Sequence, residues 1–227
     1  TELGAMMNLL FSHLTDVVRA HRGTLDKYIG DAVMAFWGAP LDDPEHARHA
    51  VDAAQAMLAR LPAIHADLAA RGWPALQINI GIHTGTMVVG DMGSRHRRAY
   101  TVMGDAVNLA ARLQAFSSRY GLGLVVGDAT RHAVRDRAWL PLGPLALRGR
   151  DAGQPAWQPL AGLAPDSAEA LVADWQALRR LVRSGRPEQA LARIDALAAA
   201  HPALAALWRW QRLVVQDDLG TGSARHG

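Results

Sequence analysis

Apolar residues recur at helical spacing in the first part of the chain, where two amphipathic helices are predicted. From Glu2 to Arg22 they fall on one helix face, and Gly23 follows as a terminating residue. The run Asp43-Pro44-Glu45 has the composition of a helix start, with a capping side chain followed by proline at the first helical position. The helix that it begins is predicted to continue to Arg71-Gly72.

Short apolar runs bounded by turn residues predict strands. Residues 24–29 and 32–37 read as a hairpin closed by Gly30-Asp31, which places Asp31 at its tip. Residues 76–83 and 86–90 read as a second hairpin around Thr84-Gly85. Further strands are predicted at residues 99–103, 122–126, 140–148 and 156–160.

A helix is predicted directly after the strand at residues 99–103. Asp105 is the expected N-cap, and Asn108 and Arg112 lie one turn apart on one face of this helix. The alternation of strands and helices up to this region predicts an α+β fold, with helices packed on one mainly antiparallel sheet.

After residue 163 the pattern becomes helical only. It resembles a single tetratricopeptide-like helical hairpin, and one such unit cannot bury both faces alone, so we expect it to dock on the main domain or on a partner. The expected organisation is a main domain at 1–162, a helical hairpin tail at 163–219 and a disordered end at 220–227.

Composition narrows the possible functions. The 227 residues, 50% of them hydrophobic, suffice for one sizeable core with a small appendage. The sequence contains no cysteine, which excludes disulfides and thiolate metal sites. We therefore expect a cytoplasmic setting. The parent protein could be anchored in the inner membrane by an upstream region. The net charge of +3 comes without a basic block, so no nucleic-acid partner is expected.

The tetrad Gly-Asp-Ala-Val occurs twice, at residues 30–33 and 104–107. One such tetrad alone does not identify a family. Here, however, the two copies with their flanking residues and the segment 142–150 occur in a defined order and spacing. Residues 1 to about 162 thereby resemble a bacterial class III adenylate/guanylate cyclase catalytic domain.

The resemblance implies a ferredoxin-like, palm-type class III nucleotidyl cyclase fold that works as a head-to-tail homodimer with shared active sites. It implies that ATP is converted to 3′,5′-cyclic AMP and pyrophosphate. Two divalent ions per site, Mg²⁺ or Mn²⁺, would lower the pKa of the attacking hydroxyl and neutralise phosphate oxygens.

Three candidate site residues follow from the first motif and from the strand at residues 99–103. Asp31 matches a metal-binding aspartate of the family, although an isolated Gly-Asp would more often be only a turn. Lys27 and Thr101 occupy the positions of the two base-reading residues. A lysine donor suits N1 of adenine, whereas N1 of guanine carries a proton, so the expected substrate is ATP.

Three further residues correspond to groups that act on the ribose and phosphates. Asn108 and Arg112 match the pair that orients the ribose and stabilises charge developing at the α-phosphoryl group. Arg148 stands where the family usually has a lysine that binds the terminal phosphates, which keeps the charge and changes the geometry.

The sequence starts in the helix that, in the family, follows a strand carrying the first metal aspartate. We therefore expect residues 1–227 by themselves to have little cyclase activity, and an upstream sensor region in the parent protein. The alternative is a non-catalytic, cyclase-like regulatory or dimerisation module. The presence of Lys27, Asp31, Thr101, Asn108 and Arg112 together favours the cyclase.

Overall fold

The structure is a computed structural model that describes residues 2–95, 98–145 and 153–223, with the backbone alone for 218–223. Within these ranges the chain has seven α-helices, one short 3-10 helix and eight strands. In chain order they are α1 Glu2–Ala20, β1 Thr24–Ile29, β2 Ala32–Phe36, α2 His46–Ala69, β3 Ile80–Ile82, β4 Val88–Gly93, β5 Arg98–Met103, α3 Asp105–Tyr120, β6 Leu124–Gly127, α4 Asp128–Ala133, β7 Trp139–Leu145, β8 Gln154–Pro159, α5 Pro165–Arg183, α6 Pro187–Ala200, the 3-10 helix Pro202–Leu204 and α7 Ala205–Ser223.

A four-stranded sheet forms the centre of the fold, with strand order β3-β6-β8-β7. β3 and β6 are parallel, and the other two pairs are antiparallel. Side chains of β6 alternate between two cores, because successive residues of a strand point to opposite faces. Leu124 and Val126 pack with α2, whereas Val125 packs with α3 and the C-terminal helices. The predicted α+β architecture, with helices packed on sheets, is confirmed.

The remaining strands form two separate hairpins, β1-β2 and β4-β5. The first is the hairpin predicted around Gly30-Asp31, where Gly30 adopts a left-handed φ of 62° that glycine tolerates without strain. The second hairpin was predicted wrongly, since β3 pairs with β6 and β4 pairs with β5. The expectation of one sheet was also wrong for the described residues, since neither hairpin is hydrogen-bonded to the four-stranded sheet.

The first two helices pack against each other through a small apolar cluster. Leu10 and Leu14 of α1 meet Ile64 and Leu68 of α2, all at most 8% exposed. The predicted helix start before α2 is correct to within a few residues. A side-chain oxygen of Asp43 accepts a hydrogen bond from the backbone N–H of Glu45 at 3.1 Å.

The C-terminal region consists of three α-helices rather than the predicted hairpin. Its buried side chains belong to the largest core cluster, which also contains Leu113 of α3 and Leu142 of β7. The expected docking on the main domain is therefore confirmed. The boundaries at residues 162 and 219 remain predictions, while α7 extends to Ser223, into the segment predicted to be disordered.

Among the described helices, none is by itself long and apolar enough to cross a membrane. The helices Pro187–Ala200 and Pro202–Asp217 are long and apolar enough only when taken together, and they are bent by 120° relative to each other.

Candidate active site

A bulge in β1 brings three polar side chains together. Leu25 pairs with Ala35 and Lys27 with Met34, so Asp26 is the extra residue of the strand. Consecutive strand residues normally point to opposite faces, and a bulge redirects one of them. Here both Asp26 and Lys27 reach Thr101 of β5.

The three side chains form a closed set of contacts. Lys27 Nζ donates to Thr101 Oγ1 at 2.9 Å, and the Thr101 hydroxyl donates to Asp26 Oδ2 at 2.7 Å. Lys27 Nζ also lies 3.3 Å from Asp26 Oδ1. The Asp26 side chain is 1% exposed while that of Lys27 is 44% exposed, so the carboxylate forms the floor and the ammonium group faces solvent.

The strand opposite Thr101 leaves space beside it. Thr101 pairs with Gly90 of β4, and a Cβ atom at Gly90 would meet nothing within 4 Å. Paired residues of two antiparallel strands present their side chains on the same face. The face beside Thr101 is therefore open at the position where any other residue would place a side chain.

Asp31 occupies the exposed tip of the first hairpin, as predicted. Among the described residues it makes no hydrogen bond and no ion pair, and no group of three His, Cys, Asp or Glu side chains there could hold a metal ion. Mg²⁺ is commonly held by one or two carboxylates together with substrate phosphates. Asp31 therefore fits the role of a single carboxylate ligand, and the described part of the chain does not form a closed two-ion site.

The helix α3 carries the second part of the predicted site. Ala106, Leu109 and Leu113 lie on its buried face, and a Cβ at Gly81 of β3 would come within 2.2 Å of a backbone nitrogen of this helix. This close approach fixes α3 against the central sheet. Asp105 is the first helical residue, after Gly104, and no side chain caps the helix, so its predicted role as the N-cap was wrong.

Asn108 and Arg112 project from α3 away from that buried face, as their spacing predicted. Asn108 is exposed and Arg112 is partly exposed. Neither side chain makes a hydrogen bond or an ion pair within the described ranges. A guanidinium group with all of its donors free is available for an anionic ligand.

The structure thus joins two of the predicted residues directly, Lys27 and Thr101. Within the described part of one chain, Asp31 makes no polar contact with them or with Arg112. Arg148 lies outside the described residues. Asp26 was missed by the sequence analysis because a strand pattern would have placed it on the face opposite to Lys27.

Comparison with known proteins identifies the family of this chain. Residues 1–136 match the family described as the adenylate and guanylate cyclase catalytic domain. Adenylate cyclase 1 of Rhizobium meliloti is 40% identical over 150 residues, which cover 66% of this chain and 23% of that protein. An uncharacterized protein of Mycobacterium tuberculosis is 36% identical over 151 residues, covering 64% of this chain and 26% of its own length. The chain thus spans about a quarter of the length of these relatives.

Two solved structures share the fold. The adenylyl cyclase CyaB from P. aeruginosa superimposes with a TM-score of 0.67 at 28% identity, over 71% of this chain and 84% of that one. The guanylyl cyclase Cya2 superimposes with a TM-score of 0.61 at 27% identity, over 72% of this chain and 82% of its own. On the match over residues 1–136 and this shared fold, the chain belongs to the class III adenylate and guanylate cyclase catalytic domain family.

Proposed function

We propose that this chain is the catalytic domain of an adenylate cyclase, which converts ATP to 3′,5′-cyclic AMP and pyrophosphate in a head-to-tail homodimer. The observation that carries the substrate assignment is the contact between Lys27 Nζ and Thr101 Oγ1 at 2.9 Å. This contact places a cationic donor beside a hydroxyl group, at a face that Gly90 leaves open. The Watson–Crick edge of adenine offers an acceptor at N1 beside a donor at N6, which matches this pair.

In the proposed reaction the ribose 3′-hydroxyl loses its proton to solvent, its oxygen forms a bond to the α-phosphorus, and the bond from that phosphorus to the pyrophosphate oxygen breaks. Arg112 donates to the α-phosphoryl oxygens as negative charge develops on them, and Asn108 orients the ribose. Neither side chain has its donors engaged by another described residue. A donor placed at charge that develops in the transition state typically lowers the barrier by roughly 3–4 kcal/mol.

Asp31 is the proposed protein ligand of a divalent ion, Mg²⁺ or Mn²⁺. A bound ion would neutralise triphosphate oxygens and make the 3′-hydroxyl more acidic. The chain's contribution is a carboxylate at the exposed tip of a tight turn, with no competing partner among the described residues.

The proposed dimer is supported by apolar side chains exposed next to the candidate residues. Ile29, adjacent to the Gly30-Asp31 turn, is 57% exposed, and Met103, just before α3, is 58% exposed. Val88, which pairs with Met103, is 66% exposed. A second copy covering these side chains would remove them from water. In the proposed head-to-tail arrangement, Asp31 of one protomer faces Asn108 and Arg112 of the other.

The test uses the fact that Lys27 is the only lysine of the chain. An amine-directed acylating reagent at limiting concentration therefore modifies one side chain besides the N-terminus, and the modified site is identified by mass spectrometry. We expect ATP with Mg²⁺ to slow acylation of Lys27 strongly, GTP to slow it less, and neither to change acylation of the N-terminal amine. Equal rates with and without ATP would contradict the proposal.

The variant Lys27→Glu replaces the donor with an acceptor and should weaken ATP binding about tenfold or more, since one mispaired buried hydrogen bond costs about 1–3 kcal/mol. Binding is measured by competition with a fluorescent ATP derivative, and cyclic AMP is measured with excess protein over ATP. Arg119→Glu, at the far end of α3, changes the net charge by the same amount, serves as the charge-matched control and should bind ATP normally. Unchanged ATP affinity in Lys27→Glu would remove Lys27 from the base site.

The non-catalytic module remains the second candidate, favoured by the single carboxylate available for a metal within the described ranges. It predicts ATP protection of Lys27 with no cyclic AMP in any assay, including one on a longer form of the protein. Cyclic AMP formation would exclude it.

A further inference from the structure

We infer that Asp26 is a positioning residue that fixes the direction of the Thr101 hydroxyl and so makes this site select a purine with an amino group at carbon 6. The inference rests on the proposed function and adds to it a residue that does not itself touch the base. It starts from the bulge in β1, which brings Asp26 to the same hydroxyl group as Lys27.

The direction of both hydrogen bonds follows from the chemistry of the partners. A lysine ammonium group can only donate and an ionised carboxyl group can only accept. Thr101 lies between the two, so its oxygen must accept from Lys27 and its single hydrogen must go to Asp26 Oδ2. The hydroxyl group then has one remaining lone pair and no hydrogen to offer a ligand.

This arrangement turns a residue that could serve as donor or acceptor into an acceptor only. Adenine presents an amino donor at carbon 6, which pairs with such an acceptor, whereas guanine and hypoxanthine present a carbonyl oxygen there. A 6-oxo purine would bring two acceptors together and leave both without a hydrogen. Lys27 adds a donor for N1, which is an acceptor in adenine and carries a hydrogen in the 6-oxo purines.

The burial of Asp26 helps to hold the Thr101 hydroxyl group in this orientation. Its side chain is 1% exposed, so water does not compete for Oδ2, and Oδ1 has no hydrogen-bond partner besides the ion-pair contact with Lys27 at 3.3 Å. The carboxylate therefore holds the ammonium group in place without using its hydrogens in an aligned hydrogen bond. The hydrogens not donated to Thr101 remain available for a base.

The test compares three nucleotides that differ at carbon 6: ATP, purine riboside triphosphate, which lacks the amino group, and inosine triphosphate, which has a carbonyl oxygen. Affinities are measured by competition with a fluorescent ATP derivative in Mg²⁺. The wild-type chain should bind ATP about five- to tenfold more tightly than the 6-unsubstituted nucleotide, as expected for one hydrogen bond. Its preference for ATP over inosine triphosphate should be larger.

In Asp26→Asn the amide can donate to Thr101, which frees the threonine hydrogen to point towards the ligand. We expect the ratio of affinities for ATP and the 6-unsubstituted nucleotide to fall to about one, and inosine triphosphate to gain relative to ATP. Asp91→Asn, on the exposed part of β4, is the charge-matched control and should keep the wild-type ratios. A merely structural role for Asp26 would weaken all three nucleotides equally.

Thr101 gives a second test that does not depend on the folding of the Asp26 variant. Thr101→Ser retains the hydroxyl group and should retain the discrimination, whereas Thr101→Val removes it and should abolish the discrimination. Wild-type discrimination in Asp26→Asn would overturn this inference while leaving the proposed function standing. Wild-type discrimination in Thr101→Val would overturn this inference and would also remove Thr101 from the proposed base site. Failure of the wild-type chain to bind ATP would overturn both.

Discussion

Arg112 and Lys27 are both cations of the candidate site, but they differ in their contacts with the rest of the protein. Lys27 is held by Thr101 and Asp26, whereas Arg112 has no polar partner within the described ranges. A side chain that the fold does not use can be removed with little effect on stability. Substitutions of the two residues should therefore have different effects on ATP binding, turnover and stability when these are measured independently.

In a longer form of the protein that produces cyclic AMP, Arg112→Ala should lower cyclic AMP formation by about 100- to 1000-fold, because in the proposed reaction Arg112 donates to charge that develops at the α-phosphoryl group. The free energy of unfolding should change by less than about 0.5 kcal/mol, as for other surface substitutions. Cyclic AMP is measured with protein in excess over ATP, and stability by urea denaturation. Arg119→Ala controls for loss of charge on α3, and an Arg112→Ala variant with wild-type turnover would remove Arg112 from the reaction.

Individual candidate residues could be predicted from the sequence where they belong to a recognisable motif. Lys27 and Thr101 were predicted as a pair and lie in contact. Asp26 was not predicted, because a bulge depends on how two strands pair and leaves no signal in the alternation of one strand. The roles of Asp31, Asn108 and Arg112 in catalysis remain predictions.

Among the elements, β3 and α3 approach most closely at a glycine. A Cβ at Gly81 would lie 2.2 Å from the backbone nitrogen of Gln114 and 2.3 Å from the backbone oxygen of Ala110. Gly81→Ala should therefore lower the free energy of unfolding by about 1–3 kcal/mol or more, because backbone atoms must move apart. Gly90→Ala, where the same atom would meet open space, is the matched control; equal stability of the two variants in urea would show that α3 tolerates displacement.

The start of α2 depends on Asp43, which accepts hydrogen bonds from His49 at 2.7 Å and from the backbone N–H of Glu45 at 3.1 Å. The hydrogen bond from His49 lowers the pKa of Asp43 more than burial raises it, and Arg22 adds to the lowering. A carboxyl group with a lowered pKa in the folded state stabilises the fold above its ordinary pKa, and this contribution disappears as pH falls through the lowered value.

Asp43→Asn should therefore reduce the melting temperature at pH 7, and its difference from wild type should shrink below about pH 4. Melting is followed by circular dichroism across this range. The exposed neighbour Asp42 provides the control, since Asp42→Asn removes the same charge. A difference for Asp43→Asn that stays constant from pH 7 to pH 3 would contradict the assignment.

Elements with a strong periodic pattern or a clear tight turn were predicted well, whereas the partners of β3 and β4 were not. The positions of α1 and of the first hairpin agree with prediction to within a few residues, because one local pattern and one tight turn define each. The pairing of β3 with β6 joins residues far apart in sequence, and nothing in either strand identifies its partner. The same limitation explains why three separate sheets were not foreseen.

In the whole molecule, the C-terminal helices and the cyclase domain share one core. Trp175 of α5 is fully buried, and its indole nitrogen donates to the backbone oxygen of Pro141 in β7 at 2.6 Å. Its ring lies 6.1 Å from that of Trp208 and 6.4 Å from that of Trp210. The sequence indicated that this region must dock somewhere, but helical periodicity does not identify the surface that receives it.

Trp175→Ala should lower the free energy of unfolding by about 3–5 kcal/mol, as large aromatic truncations in cores do. Urea denaturation followed by circular dichroism measures the loss, and the transition should remain single because the tail and β7 unfold together. Leu213→Ala, at a side chain that is 48% exposed on α7, is the control and should change stability by less than about 0.5 kcal/mol. A separate early transition in Trp175→Ala would show that the tail folds as an independent unit.

The two halves of α3 have different roles, because one carries candidate site residues and the other packs against the C-terminal helices. Its first half carries Asn108 and Arg112, and its second half carries Phe116, whose ring lies 5.6 Å from that of Trp210 in α7. Arg112 and Phe116 are separated by one turn, or about 6 Å along the axis. Because Phe116 packs on Trp210, a displacement of α7 would remove a contact of α3 one turn away from Arg112. The C-terminal helices therefore support the helix that carries two of the candidate site residues, although none of the candidate residues lies in them.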